Sequence, residues 1–129
     1  MRRALRLKRR AIFCLEPPGY SPPRKSMLDS ILSGCIPVTF YTDREFRDLM
    51  PFHFGGWGAN ATVRVAREDV FRPGFDIIGL LQGLSAERVR AMQQTIAENA
   101  HRLMWGIGTY PGDAVETLLR VLHASSSHP

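Results

Sequence analysis

The sequence predicts an α/β fold: one lobe with a short parallel sheet and C-terminal helices. Three observations carry this. Residues 11–40 read as strand, loop, helix and strand, the ~30-residue span of a βαβ unit with a right-handed crossover. Two amphipathic helical patterns follow residue 85. The length of 129 residues suits one domain of the usual ~100–200 residues. It leaves no room for two full α/β domains closing over a substrate.

The first ten residues, MRRALRLKRR, hold Arg2, Arg3, Arg6, Lys8, Arg9 and Arg10. They read as a basic leader, disordered or extended. These six of the 17 basic residues account for the net charge of +5; the remaining 11 face 12 acidic residues, so residues 11–129 carry −1. That balance argues against a nucleic-acid-binding body and leaves nucleic acid off the list of expected partners. A five-residue apolar run, AIFCL, follows the leader, too short for the roughly 7–15 residues of a signal-peptide core. No apolar run reaches the roughly 18–20 residues of a membrane helix.

The lobe is expected over residues 11–124. Residues 11–15 form the first strand. Glu16 to Pro23, with four prolines and a glycine, must be loop. RKSMLDSILSG reads as helix, with Met27, Leu28, Ile31 and Leu32 on one apolar face and Gly34 as its stop. Ile36 to Phe40 is a second strand, with Pro37 near its start, where proline is tolerated. A short helix is expected from Asp43 to Met50, and a glycine-rich loop with three aromatics from Pro51 to Asn60. Ala61 to Val65 alternates as a third strand, Arg67 to Phe71 suits one helical turn, and Phe75 to Leu84 is an apolar helix weakened by Gly79 and Gly83. Ser85 caps a helix running to about Met104, with Val89, Met92, Ile96, Ala100 and Leu103 on one face. The last helix starts at Asp113 with Glu116 three residues on. Residues 125–129 are a frayed tail.

Cys14 and Cys35 stand 21 residues apart with no CxxC and no clustered histidines, so no metal site is expected. Two buried thiols or one disulfide both fit.

One feature breaks a propensity rule. Arg24 and Lys25 sit at a helix start, where the macrodipole disfavours cations. A bound anion reverses that argument, because free N–H groups, dipole and cations then converge on one negative group. Ligands of open α/β sheets bind beyond the carboxyl ends of the strands, over this kind of loop. Gly19 allows close backbone approach, and Ser21 offers a hydroxyl. Asp29 lies one turn beyond Lys25, among Ser26, Ser30 and Ser33, where a carboxylate can accept two ribose hydroxyls. Together these describe a nucleotide-diphosphate site. Lys25 and Asp29 also fit a plain i, i+4 surface pair.

The block FCLEPPGYSPPRKSMLDSILSGCIPVTF, Phe13 to Phe40, resembles the signature block of the exostosin-like glycosyltransferases, glycosyltransferase family 47, most nearly in its xyloglucan galactosyltransferase branch. PFHF and Trp57, ATVRVAREDV and SAERVRAMQ extend the resemblance from about residue 11 to about 105. It implies a Rossmann-like lobe that is half of a GT-B fold. It implies inverting transfer of a sugar from a nucleotide-sugar, a UDP-sugar, to a glycan acceptor without a tightly held metal or cofactor. The residues it implies for the donor are Gly19, Ser21, Arg24, Lys25, Ser26 and Asp29, with Asp29 on the ribose. The catalytic base is not identified: the resemblance puts it in a missing N-terminal acceptor lobe, and the lone His53 is not assigned that role. This chain is then a fragment, inactive alone, of a Golgi membrane protein facing the lumen, anchored by upstream sequence. Two positions depart from the family pattern. Tyr20 replaces an acid, and Pro23 replaces a small hydroxyl residue. These departures favour the alternative, a non-catalytic nucleotide- or glycan-binding module on the same fold.

Overall fold

A computed structural model describes residues 2–20, 24–49, 51–106 and 111–126. The expected βαβ unit is present. Strand β1 (Phe13–Glu16) is followed by helix α2 (Lys25–Leu32) and strand β2 (Ile36–Thr39). The strands pair in parallel from Phe13 with Ile36 to Glu16 with Thr39. Strand β3 (Val63–Arg64) adds to the other edge of β2, also parallel, giving the order β1-β2-β3. This is a Rossmann-like α/β lobe. Helix α2 ends in a Schellman turn: Gly34 adopts φ 76°, its N–H bonds Ile31 O at 2.9 Å, and Cys35 N–H bonds Ser30 O at 3.0 Å. Glycine accepts that left-handed conformation without a Cβ penalty.

Strand β2 is buried along its whole length, as a central parallel strand requires. Cys14 and Glu16 face α2, while Phe13 and Leu15 line a groove with Val89. After β2 come the short helices α3 (Asp43–Asp48), α4 (Pro51–Phe54), α5 (Arg67–Val70) and α6 (Ile77–Gln82), and Val89 lies on helix α7 (Ala86–Asn99), which Ser85 caps through its hydroxyl. Met27 and Ile31 from α2, Ile36 and Val38 from β2, and Met92 and Ile96 from α7 belong to the buried core. Helix α8 (Ala114–Ser126) packs against the segment Pro51–Phe54.

Four expectations change. The basic leader is not extended: Arg2–Lys8 forms helix α1, which packs on α2. Its Ala, Leu, Arg and Lys residues are strong helix formers, and its basic last turn suits the helix dipole. The glycine-rich stretch is not open loop. It holds a turn of helix, Pro51–Phe54, and a 3₁₀ turn, Gly58–Ala61, because Phe54 and Trp57 are buried and stack at 4.9 Å. Trp57 Nε1 donates to His53 O at 2.9 Å, and a Cβ on Gly58 would lie 1.9 Å from the Phe54 ring. The helix expected to reach Met104 breaks after Asn99 into the 3₁₀ turn Ala100–Leu103. The tail is helical to Ser126, and 127–129 lie outside the described residues.

Several carboxylates hold caps. Asp113 accepts from Glu116 N–H at 2.9 Å and Gly106 N–H at 2.8 Å. These donors, the Glu116 N–H foremost, hold its carboxyl below the ordinary range. The Gly112 N–H and then Arg120 do the same for Glu116, and the Thr42 N–H for Glu45. Lowered folded-state values mean stability that is complete above the ordinary carboxylate range and lost as pH falls through the folded values. The thermal midpoint should therefore be flat between about pH 6 and 8 and fall steadily below about pH 4. A circular-dichroism melt series checks this; an unchanged midpoint at pH 3 would contradict it.

Candidate functional site

The carboxyl ends of all three strands lie along one edge of the sheet, where parallel α/β folds carry their ligands. Glu16 ends β1, Thr39 precedes Phe40 and Tyr41, and Arg64 precedes Val65 and Ala66. Two clefts open there. One of about 400 Å³ is bordered by Tyr41, Thr42, Arg67 and Glu68. An apolar one of about 240 Å³ lies over Pro17, Pro18, Phe40 and Phe71.

The structure places Arg24 at the N-cap of α2, where it supplies no side-chain hydrogen bond to the first turn. Thr42, Asp76, Ser85 and Asp113 do cap the helices that follow them. The Arg24 side chain instead folds over the loop. Its Nη1 donates to Pro17 O at 3.0 Å, and its Cδ lies so close to Gly19 that a Cβ there would sit 2.9 Å away. Glycine at 19 thus allows Arg24 to close the loop onto the end of β1. Lys25 Nζ reaches both carboxylate oxygens of Asp29, at 2.7 and 2.8 Å. So the i, i+4 surface pair is formed, and these two expected ligand groups stand together on an exposed face of α2. Exposed pairs of this kind contribute little to stability, which leaves both groups inexpensive to redirect toward a ligand.

Ser26 is turned toward α1: its Oγ accepts from Lys8 Nζ at 2.9 Å. Ser21 and Pro23 lie outside the described residues. Tyr20 is fully exposed on the loop. His53 stands apart from this edge and bonds Ala114 O through Nε2 at 3.0 Å, a packing role between Pro51–Phe54 and α8. Among the described residues no cluster of His, Cys, Asp or Glu has metal-binding geometry.

Sequence reasoning missed Tyr41 and Arg67. Tyr41 is buried at this edge; burial pushes its phenol up, opposed by the nearby Arg24 guanidinium and reinforced by Glu16 and Glu45. Arg67 Nη2 sits 3.4 Å from the Glu45 carboxylate. The signal for both is position: each follows a strand within two or three residues, on the side where α2 begins. The cysteines are resolved as a Cys14–Cys35 disulfide that clips β1 to β2.

The chain is similar to known proteins over most of its length. A probable xyloglucan galactosyltransferase of Arabidopsis thaliana is 33% identical over 103 residues, 80% of this chain and 21% of the relative. A probable glucuronosyltransferase of Oryza sativa subsp. japonica is 34% identical over 124 residues, 93% of this chain and 27% of the relative. A xyloglucan galactosyltransferase of Arabidopsis thaliana is 30% identical over 95 residues, 74% of this chain and 15% of the relative. The chain therefore spans 15–27% of the length of these relatives. No solved structure matches it. No helix among the described residues is long and apolar enough to cross a membrane. The exostosin GT47 domain family matches residues 2–77, more than half of the chain and all of the βαβ unit, so the chain belongs to the exostosin GT47 family.

Proposed function

We propose that this chain is the donor-binding lobe of an inverting glycosyltransferase that moves a sugar from a UDP-sugar to a glycan. The observation that carries the reading is the junction of β1 and α2. A helix N-terminus without a side-chain cap opens at the carboxyl edge of the sheet, flanked by Arg24 and Lys25. The departing diphosphate would sit over those N–H groups, where dipole and cations stabilise the charge that develops on it. Asp29 would exchange Lys25 for the ribose hydroxyls, leaving the Lys25 ammonium to the phosphates. The general base that takes the acceptor's proton, and the acceptor site itself, would come from sequence beyond this chain. The lobe alone would then bind nucleotide and transfer no sugar.

Relatives named as glycosyltransferases support the reaction class. The disulfide suits an oxidising compartment and supports a Golgi-lumen location. The exposed Tyr20 in place of the family's acid supports a second reading, a binding module without turnover. Under that reading, nucleotide binding survives even in a longer protein that transfers nothing.

Calorimetric titration with UDP, GDP and their sugars tests the proposal. UDP should bind, and Asp29→Ala should weaken it about 10-fold or more, the loss of hydrogen bonds to a charged acceptor. Absence of heat with every nucleotide, from folded protein, would sink it. An unchanged affinity in Asp29→Ala would remove the ribose assignment.

A further inference from the structure

Lys8 makes four contacts from one ammonium. Nζ lies 2.6 Å from Glu16 Oε1, 2.6 Å from Ser26 O, 2.9 Å from Ser26 Oγ and 2.6 Å from Ser30 Oγ. Ser30 Oγ in turn donates to the same Glu16 oxygen. Glu16 is 3% and Ser30 0% exposed, so this is an interior network, reached by a side chain from outside the βαβ unit.

Its placement matters more than its burial. Glu16 is the last residue before the proline-rich loop, and Ser26 lies in the first turn of α2 just after it. A single cation therefore ties the end of β1 to the start of α2, on either side of Gly19 and Arg24 and next to Lys25. From the α2 side it holds a backbone carbonyl as well as a hydroxyl, so the tie fixes the helix start itself and not just a side chain. We propose that Lys8 is a positioning residue for nucleotide binding, setting the distance between the end of β1 and the first N–H groups of α2. The inference rests on the reading of that junction as the donor site. It gives the basic leader one specific task, carried by one of its six cations.

Removing Lys8 alone leaves the Glu16 charge buried without its partner, which is costly enough to threaten folding. The informative variant is Lys8→Met with Glu16→Gln. The side-chain amide introduced by Glu16→Gln still accepts the Ser30 hydrogen bond through its oxygen. No charge is left unpaired, and stability returns toward that of the parent, but the loop ends are no longer joined. Backbone ¹⁵N relaxation without nucleotide should show order parameters at Gly19, Arg24, Lys25 and Ser26 falling from about 0.85 to below about 0.6, with β2 unchanged. UDP affinity should fall about 10-fold, the worth of one charge-assisted hydrogen bond at the helix start. Parent-like order parameters at those amides in the double variant would overturn the proposal whatever the nucleotide result. So would parent-like UDP affinity. If the parent itself binds no UDP, the donor-site reading fails, and the relaxation contrast still decides whether Lys8 holds the loop.

Discussion

Substituting alanine for Ile31 is expected to lower the free energy of unfolding by about 2–5 kcal/mol. Ile31 is 1% exposed and projects from the middle of α2 into the core shared by β2, Met27 and Leu103. The loss combines the transfer free energy of the deleted carbons with the cavity they leave. Domains are stable by only about 5–15 kcal/mol, so a large fraction of the total disappears, and the midpoint should drop by about 10 °C or more. The adjacent Leu32 is 43% exposed, and its replacement by alanine should stay within about 1 kcal/mol. Urea unfolding of both variants checks the pair. Similar losses from the two would mean that α2 packs in a different rotation, which would also move Lys25 and Asp29.

The second large effect comes from the disulfide. Cys14 and Cys35 close a loop with a sequence separation of 21 residues. Cross-linking a loop of that size stabilises by about 3 kcal/mol when the bond acts by restricting the unfolded chain. Replacing both cysteines with alanine, or adding reductant, should remove about that much and shift the urea midpoint while leaving the fold intact. Counting thiols in denatured, unreduced protein should find none among these two residues. Two free thiols would contradict the pairing and withdraw its support for an oxidising compartment.

The parts of this fold legible in the sequence are those written in local chemistry. The βαβ unit can be read because the strand, the prolines, the apolar helix face and Gly34 each signal within a few residues. The cap residues Thr42, Asp76, Ser85 and Asp113 precede their helices directly, although only the last two stand out as helix starts. What escapes depends on distant partners. Helix α1 reads as a charged tail because its anchor, Lys8, finds acceptors 8, 18 and 22 residues away. The stretch from Pro51 to Asn60 reads as loop because glycine outweighs the burial of Phe54 and Trp57, which only the folded core supplies. The cysteine pairing is open in the sequence and closes only when parallel alignment of β1 and β2 brings the two Cα atoms to 5.9 Å.

The candidate site divides in the same way. Arg24, Lys25 and Asp29 stand out because cations at a helix start are an anomaly that asks for an anion. Tyr41 and Arg67 do not, since they join the edge only through the order β1-β2-β3. Ser26 is legible as a hydroxyl near the helix start, but its engagement by Lys8 is not.

The most direct measurement is a titration of ¹⁵N-labelled protein with UDP, followed amide by amide. If nucleotide binds at the β1–α2 junction, shifts should concentrate at Gly19, Arg24, Lys25, Ser26 and Asp29, with smaller ones at Tyr41. Shifts confined to the groove beside Leu15 and Val89 on the α7 face of the sheet, or no shifts at saturating UDP, would contradict the account.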